Sequence, residues 1–350
     1  MKNILLISFY FPPYKGVGSK RADYWYKKMC NDKRFDITVL TAIPQTKKKK
    51  NIYYVPTSKN KSILNLFIKD EGVLWTKNVK KWFQKQNLKY DTLIITGGPF
   101  MHMVLSRFFK INGIKKIILD FRDPFYNNPR FNSSKIKNLI KLYFQKKFIK
   151  SADFVISVNS YCGNLLNSEK VKIIENGFDD SVNNLLTESS LKNDVLISVG
   201  KVYDDFNLNT FNSFVKNSEF KFSYYGESHS KIISCNNVFL SNSIPYDILL
   251  EKILYSEICI LFTGGKPFES TTKIFDYLRF NKKILIVTEG DIKTGALFDI
   301  TKNNPNVYWS INSKFQIELM INKIISNRVI DFDTSIYSRK YTYNKLVEIL

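Results

Sequence analysis

Short apolar runs alternate with segments of helical spacing along the whole chain. In the first half the runs are NILLISFYF, DITVLTA, DTLIITGG, KKIILDF and ADFVISVN, and amphipathic stretches such as SKRADYWYKKMCNDK lie between them. Apolar runs bounded by turn residues and separated by helical segments are typical of parallel strands covered by helices. The pattern therefore predicts an α/β fold.

The same alternation starts again after the polar stretch DDSVNNLLTESSLKND. The later runs are DVLISVG, FKFSYYG, NVFLSN, EICILFT and KILIVTEG, again with helical spacing between them. A chain of 350 residues is comfortable for two such domains. We therefore expect an N-terminal domain over 1–178, a linker near 178–192, a second domain over 179–335, and a C-terminal helix over 336–350 that packs back on the first domain.

Neither a membrane span nor a secretion signal is indicated. No stretch approaches the roughly 20 apolar residues that cross a bilayer. The first apolar run carries a lysine and leads into Pro-Pro-Tyr-Lys without a small-residue cleavage site, which favours a buried first strand. Four scattered cysteines suit a reducing cytoplasm, and with only two histidines a zinc site has little to build from.

Charge is distributed unevenly. The chain carries 53 Lys and Arg against 31 Asp and Glu, a net charge of +22. Residues 1–180 hold 34 basic and 13 acidic residues, whereas residues 181–350 hold 19 and 18. An excess confined to one half indicates an anionic partner for that half, either nucleic acid or an acidic membrane surface.

The segment SSKIKNLIKLYFQKKFIK, residues 133–150, has the pattern of a basic amphipathic helix. Its six lysines are interleaved with apolar side chains, namely Ile136, Leu139, Ile140, Tyr143, Phe144 and Phe148. Such a helix can lie on an anionic membrane, or its apolar stripe can face the core while the lysines are solvated. The sequence leaves both interpretations open.

The stretch FYFPPYKGVGSKR, residues 9–21, follows the first predicted strand. A dinucleotide-binding turn needs Gly-x-Gly-x-x-Gly and an acidic residue at the end of the second strand. Here Arg21 occupies the third glycine position, and the second strand ends in Thr41 and Ala42. These departures argue against a nicotinamide site, and the chain also lacks a Gly-x-x-x-x-Gly-Lys-Ser/Thr loop and a Gly-x-Ser-x-Gly elbow.

Six stretches carry a resemblance that covers most of the chain. In order they are FPPYKGVGSKR, GGPFMHMVL, LDFRDPF, YFQKKFIKSADFVISVN, IIENGFD and STTKIFDYLRFNKKILIV. Together they resemble bacterial glycosyltransferases of the GT-B fold, family 4, and LDFRDPF is similar to the Asp-x-Arg-Asp-Pro-aromatic motif of one subgroup. The resemblance implies two Rossmann-like domains that face each other across a cleft, with the acceptor bound by the first and the nucleotide sugar by the second.

The donor's diphosphate leaves more readily when its growing negative charge is stabilised. Lysines, glycine-loop amides and helix N-termini can do this without a metal. By resemblance, Gly16 and Gly18 let the backbone approach the donor phosphates, and Lys201 and Lys273 lie beside the diphosphate. An exposed turn lysine is the alternative for Lys201, and an ordinary helix N-terminal position is the alternative for Lys273.

The resemblance also implies roles for two acids of the second domain. Asp276 matches the second of the family's paired acids, which binds the ribose hydroxyls of the nucleotide, although an ordinary acid at a helix start would look the same. Glu269 lies one position after the place of the first acid, which Phe268 occupies. The chain departs from the family in two further ways: Tyr246 replaces a histidine, and VYDDFNLN lacks the second basic residue that usually follows the position of Lys201.

On the acceptor side, Arg122 and Asp123 follow the run KKIILDF and are expected to face the cleft. Asp123 is the predicted group that positions or deprotonates the acceptor hydroxyl, with Arg122 and His102 as further catalytic candidates. Two alternatives remain. The Asp120-x-Arg-Asp turn can be an internal ion pair, and His102, which lies between two methionines, can be a packed core residue.

The resemblance implies a retaining, metal-independent transfer of a sugar from a nucleotide-diphosphate sugar to an acceptor hydroxyl, with no bound cofactor. With the basic first half, it predicts a cytoplasmic enzyme held at the inner face of the cytoplasmic membrane through its N-terminal domain. The predicted acceptor is a glycan or a polyprenyl-linked sugar in capsule- or O-antigen-type polysaccharide synthesis, and nucleic acid is not an expected partner. Two other classes stay open: a nucleic-acid-binding protein, suggested by charge and aromatic content, and a non-catalytic glycosyltransferase-like partner subunit, suggested by the displaced first acid.

Overall fold

The computed structural model describes residues 1–46, 49–59, 62–86, 88–128, 133–180 and 195–350. These residues form two compact units: unit 1 comprises Met1–Glu175 and Tyr343–Leu350, and unit 2 comprises Asn176–Thr342. Most of the linker expected near 178–192 lies outside the described residues. The domain limits at 178 and 335 stay predictions beside this division.

Unit 1 is built on a parallel sheet with the strand order β3-β2-β1-β4-β5-β6-β7. The order changes direction between β1 and β4, whose carboxyl ends therefore frame a topological switch point, the usual place for a ligand in an open α/β sheet. In register, Ile4 of β1 lies opposite Ile37 of β2 and Thr92 of β4. The strands are β1 (Lys2–Ser8), β2 (Phe35–Thr41), β3 (Ile52–Tyr54), β4 (Thr92–Thr96), β5 (Lys116–Phe121), β6 (Phe154–Ser157) and β7 (Val171–Ile173).

Helices cover both faces of this sheet because alternate side chains of each strand point to opposite sides. Leu5 of β1 joins one apolar cluster with Trp75, whereas Ile4 joins a second with Trp25 and Leu346. Leu346 belongs to the last helix, so the C-terminal residues complete the core of unit 1. The helices with residues in this unit are α1 (Val17–Cys30), α2 (Ile63–Ile68), α3 (Gly72–Lys85), α4 (Leu105–Ile111), α5 (Lys135–Ser151), α6 (Ser160–Asn164) and α12 (Arg339–Ile349).

Unit 2 repeats the plan with a parallel sheet in the order β10-β9-β8-β11-β12-β13, so its switch point lies between β8 and β11. Its strands are β8 (Leu196–Val199), β9 (Phe222–Tyr225), β10 (Val238–Ser241), β11 (Ile258–Thr263), β12 (Lys283–Thr288) and β13 (Val307–Ile311). Its helices are α7 (Leu208–Lys216), α8 (Tyr246–Tyr255), α9 (Lys273–Arg279), α10 (Ala296–Thr301) and α11 (Lys314–Ser326). Apolar clusters again cover both faces of the sheet.

The predicted α/β class is confirmed, and each of the ten apolar runs quoted above contains a strand. The strands that these runs missed are β3, β7 and β13, which lie at sheet edges. An edge strand is covered less completely, which weakens its apolar pattern: β13 reads VYWSI, and only its serine is buried. The remaining edge strand, β10, was recognised from its run NVFLSN. No helix in the described part of the chain is long and apolar enough to span a bilayer.

Candidate functional site

Arg122 joins three elements at the switch point of unit 1. It follows β5 directly, and its Nη2 donates a hydrogen bond of 2.7 Å to Oγ1 of Thr96, the last residue of β4. Its Nη1 donates to the carbonyl oxygen of Gly18 in the first turn of α1. The Nε atom lies 3.5 Å from Oδ2 of Asp120. Arg122 therefore fixes the ends of β4 and β5 against the start of α1.

Asp120 is fully buried and lies beside a second guanidinium, that of Arg21, whose Nε is 3.4 Å from Oδ2. Arg21 also donates to the carbonyl oxygens of Glu175 at 2.9 Å and Ile174 at 3.0 Å. Opposite charges can share a buried site only when they compensate one another. Asp120 thus forms the internal ion pair of the Asp120-x-Arg-Asp turn, whereas Asp123 lies half-buried in the loop that follows.

His102 lies in a short 3-10 helix, Met101–Val104, and is completely buried. Its Nε2 is 3.0 Å from the carbonyl oxygen of Thr96. Because a carbonyl oxygen only accepts, Nε2 carries the proton. The ring packs edge-on against Trp75, 5.4 Å between centroids, and burial lowers the pKa of His102 to about 4. His102 is therefore a neutral, packed residue here, and its catalytic role stays a prediction.

Thr96 connects these two candidates. Its hydroxyl accepts from Arg122 while its carbonyl oxygen accepts from His102. The sequence reasoning did not single out Thr96, although its position as the last residue of an apolar run was a usable signal. The structure thus brings Gly18, Arg122 and His102 together at one strand end, with Asp123 in the adjoining loop.

Asp70 is a second residue that the sequence reasoning missed. Its buried carboxylate accepts hydrogen bonds from the backbone N–H groups of Phe100 at 2.7 Å, Met101 at 3.1 Å and Gly72 at 2.9 Å. Burial raises the pKa of Asp70 despite these bonds. Asp70 fixes the loop that carries His102, and nothing in a local sequence pattern links positions thirty residues apart.

Gly16 and Gly18 differ in what their surroundings require. A Cβ at position 16 would overlap the ring of Tyr14, an exposed side chain that would have to move. At position 18 the nearest neighbours of a Cβ would be Tyr10 at 3.6 Å and Arg122 Nη1 at 3.7 Å, which is ordinary contact. Packing within unit 1 therefore does not demand glycine at 18, and backbone access for a ligand stays the predicted reason for it.

In unit 2, Lys201 and Lys273 meet at the carboxyl end of β8. Lys273 is the first residue of α9, and its Nζ donates a hydrogen bond to the carbonyl oxygen of Lys201. Its side chain lies along Gly200, where a Cβ would come within 2.9 Å of Cε. Gly200 has φ +72°, a conformation that glycine adopts without strain. The side chain of Lys201 itself is exposed.

Burial alone lowers the pKa of Lys273 to about 8, and no carboxylate among the described residues contributes to the shift. A lysine in this state is partly neutral just above physiological pH, and a bound anion would raise its pKa again. Lys273 is therefore a candidate residue for binding an anion.

Each of the two predicted acids accepts a hydrogen bond from a hydroxyl group of unit 2. Asp276 Oδ1 accepts a hydrogen bond of 2.5 Å from the hydroxyl of Tyr246, where the resemblance led us to expect a histidine. Burial, followed by the charge of Asp276, raises the pKa of Tyr246. Glu269 accepts from the hydroxyl of Thr263 at the carboxyl end of β11, which places its carboxylate at the switch point. The predicted ligand roles of both acids stay untested.

A further ion pair joins the two loops of this switch point. Lys266, in the loop after β11, lies 2.8 Å from Oδ2 of Asp205 in the loop after β8. A Cβ at Gly264 would lie only 2.6 Å from Cγ of Asp205, so the loops are in close contact. Lys266 thus brings to this region a basic side chain that VYDDFNLN does not supply. The sequence pattern did not reveal the position of Lys266, because the two loops are far apart along the chain.

No protein-family model matches the chain, and no curated protein sequence matches it. Solved structures do match. The N-terminal domain of Candida albicans trehalose-6-phosphate phosphatase aligns with 100% of this chain and 96% of its own, at 9% identity and a TM-score of 0.72. The UDP-forming α,α-trehalose-phosphate synthase of Burkholderia xenovorans aligns with 100% and 98%, at 9% identity and a TM-score of 0.66. A UDP-N-acetylglucosamine 2-epimerase aligns with 99% and 95%, at 10% identity and a TM-score of 0.59.

These alignments span both units and nearly the full length of each similar chain. At identities of about a tenth they establish architecture, since one fold carries many functions. The chain has the two-unit α/β architecture of the GT-B fold, as expected from the sequence.

Proposed function

We propose that this chain is a glycosyltransferase of the family 4 type that moves a sugar from a nucleotide-diphosphate sugar to a hydroxyl of a glycan or polyprenyl-linked acceptor. The observation that carries the proposal is the convergence of Lys273 on the Lys201 backbone at the switch point of unit 2. The names of two similar structures also mention UDP and so support a nucleotide-sugar substrate. One is a UDP-forming trehalose-phosphate synthase, and the other is an epimerase of UDP-N-acetylglucosamine. Capsule- or O-antigen-type synthesis is the proposed setting.

In the proposed reaction unit 2 binds the donor. The bond between the anomeric carbon and the diphosphate oxygen breaks, and the charge that develops on that oxygen is stabilised by Lys273, Lys201 and Lys266. A bond from the acceptor oxygen forms on the same face of the sugar, and the acceptor's proton passes to the departing diphosphate. Asp276 and Glu269 hold the nucleotide-sugar hydroxyls. Stabilisation by lysines needs no divalent metal, so transfer should continue in EDTA.

Unit 1 binds the acceptor in this proposal. Arg122 is held by Thr96, Gly18 and Asp120, which makes it a rigid support for the adjoining loop. Asp123, in that loop, positions the acceptor hydroxyl. Gly18, whose carbonyl oxygen accepts from Arg122, is the proposed point at which the backbone comes close to a ligand.

The test is thermal unfolding with UDP-, GDP-, ADP- and CDP-linked sugars. We expect one nucleotide class to raise the melting temperature of the natural protein and to lose this effect in Lys273→Met. Lys302→Met, which removes an exposed lysine of unit 2 paired with Asp299, is the matched control and should keep the effect. Stabilisation by none of the four would refute the donor site.

Product analysis separates the remaining alternatives. Incubation of the stabilising donor with acceptor should give a glycoside that retains the donor's anomeric configuration. Conversion of UDP-N-acetylglucosamine alone into its 2-epimer would identify an epimerase instead. Donor binding with no turnover of either kind would favour the non-catalytic partner subunit.

A further inference from the structure

Six large apolar side chains are exposed on two neighbouring helices of unit 1, α2 and α5. Together with the lysines beside them, they are called here the α2–α5 surface. The side chains and their exposed fractions are Ile63 77%, Leu66 65%, Phe67 53%, Ile136 69%, Leu139 64% and Tyr143 54%. Single exposed apolar residues are common on proteins, but a group on adjoining helices indicates a binding surface.

These side chains are not needed by the core, because other residues of the same helices already pack there. On α2, Leu64 and Ile68 contact the unit 1 core, and on α5, Ile140, Phe144 and Phe148 do so. The apolar stripe predicted for residues 133–150 therefore divides: three of its six residues pack inward and three face solvent. The core interpretation is confirmed for Ile140, Phe144 and Phe148, and the membrane interpretation stays a prediction for the exposed half.

The charge on these two helices is basic, although the exposed Glu71 lies just beyond α2. Neither α2 nor α5 contains an acidic residue. Exposed lysines lie on and beside the helices, namely Lys59, Lys69, Lys135, Lys146, Lys147 and Lys150. Unit 1 as a whole carries 35 Lys and Arg against 12 Asp and Glu, whereas unit 2 carries 18 against 19. The partner of this surface is therefore expected to be anionic.

We propose that the α2–α5 surface docks on an anionic lipid bilayer. The six apolar side chains enter the boundary between headgroups and acyl chains, and the lysines contact the lipid phosphates. Nucleic acid fits the surface less well, since four of the six side chains are aliphatic and cannot stack on bases. The inference is independent of the proposed sugar transfer, because it concerns binding to lipid and needs no donor.

Flotation of the full chain with vesicles tests the proposal. We expect binding to phosphatidylcholine vesicles that contain about one third phosphatidylglycerol, weak binding to pure phosphatidylcholine, and weakening of the first by salt. Equal binding to both kinds of vesicle, or binding to neither, would overturn it. Duplex DNA in the same buffer provides the other class of partner: capture of DNA without capture of anionic vesicles would assign the surface to nucleic acid.

Two matched sets of substitutions locate the contact. Leu66→Gln, Leu139→Gln and Tyr143→Gln combined should lower partitioning into anionic vesicles by about tenfold or more. The control combines Phe315→Gln, Leu319→Gln and Ile325→Gln on α11 of unit 2, whose side chains are similarly exposed, and should bind like the natural protein. Equal loss in both sets, or loss in neither, contradicts the assignment.

A second group of substitutions replaces lysines instead, so that the test does not depend on whether the variant with three apolar residues replaced still folds. Lys146→Gln, Lys147→Gln and Lys150→Gln keep all six apolar side chains, although Lys147 also lies over the ring of Tyr143. We expect weaker binding with a smaller salt dependence. Unchanged binding would show that these lysines do not face the membrane. Donor stabilisation, measured on the same variants by thermal unfolding, should not change, which separates failure of docking from failure of the donor site.

Discussion

The ammonium of Lys273 donates a hydrogen bond to the backbone carbonyl oxygen of Lys201, which joins the start of α9 to the carboxyl end of β8. A carbonyl oxygen is a weaker partner for an ammonium than a carboxylate or a phosphate. Because burial has already lowered the pKa of Lys273 to about 8, this lysine gains more from a diphosphate than an exposed lysine would. The pH dependence of donor affinity therefore tests whether Lys273 binds the diphosphate.

Donor affinity should fall as pH rises through about 8. The lysine attracts the diphosphate only while it is protonated, and its pKa in the free protein is about 8. A nucleotide-diphosphate sugar has no group of its own on the diphosphate that titrates there, so calorimetry should show nearly constant affinity below about pH 7 and a loss approaching tenfold per pH unit well above 8. Lys273→Met should bind weakly at every pH, without this slope. A slope that survives in Lys273→Met would assign it to another group.

Gly200→Ala should weaken donor binding by displacing Lys273. The new Cβ would lie 2.9 Å from Cε of Lys273, and the residue would also have to keep φ near +72°. Gly113→Ala is the matched control, because position 113 has φ +94° but no atom within 4 Å of a Cβ. Both variants should lose about 1–2 kcal/mol of stability through backbone strain. Only Gly200→Ala should reduce donor affinity, by about tenfold, and an equal effect of both would exclude displacement of Lys273.

The sequence predicted most of the fold because parallel strands buried on both faces leave an unmistakable apolar run, as in ILLIS before Phe9 or ILIVT before Glu289. The position of a candidate residue was predictable where it directly follows a strand, as Arg122 does, and its role stays a prediction. It was not predictable where distant loops meet: Asp70 reaches Phe100, and Asp205 reaches Lys266. Arg21 has one feature that the sequence shows and one that it does not. It breaks the dinucleotide motif in the sequence, but only the structure shows its buried ion pair.

Substitution of Asp120 should mainly lower stability, whereas substitution of Asp123 should mainly abolish activity. Asp120→Asn would leave the buried guanidinium groups of Arg21 and Arg122 without their carboxylate, at a cost of about 3–5 kcal/mol. Asp123→Asn, in the half-buried loop, should lower the free energy of unfolding by less than Asp120→Asn does but abolish transfer. Urea unfolding and a transfer assay measure the two effects. Full stability in Asp120→Asn would refute the ion pair, and full transfer in Asp123→Asn would refute the acceptor role.

The carboxylate of Asp276 is expected to make the protein bind ribonucleotides more tightly than their deoxy analogues. If it binds a ribose hydroxyl, the natural protein should prefer the ribonucleotide over its 2′-deoxy or 3′-deoxy analogue by about tenfold. Asp276→Asn should lose that preference. Tyr246→Phe removes only the hydroxyl that donates to Asp276 Oδ1 and should keep the preference, with a modest fall in affinity. An unchanged preference in Asp276→Asn would show that another group recognises the ribose.

His102 should make the protein less stable in acid. Burial lowers its pKa to about 4, below the value near 6.5 of an exposed histidine. Between these values the unfolded chain binds a proton that the folded chain does not, so stability is complete above about pH 6.5 and falls as pH drops towards 4, by on the order of 2–3 kcal/mol. His102→Gln can still donate to the Thr96 carbonyl oxygen but does not titrate. Urea unfolding at about pH 7.5 and 4.5 should therefore show a smaller acid loss in the variant. Parallel losses would place the titration elsewhere, and full transfer activity in His102→Gln would assign His102 to packing rather than to the acceptor.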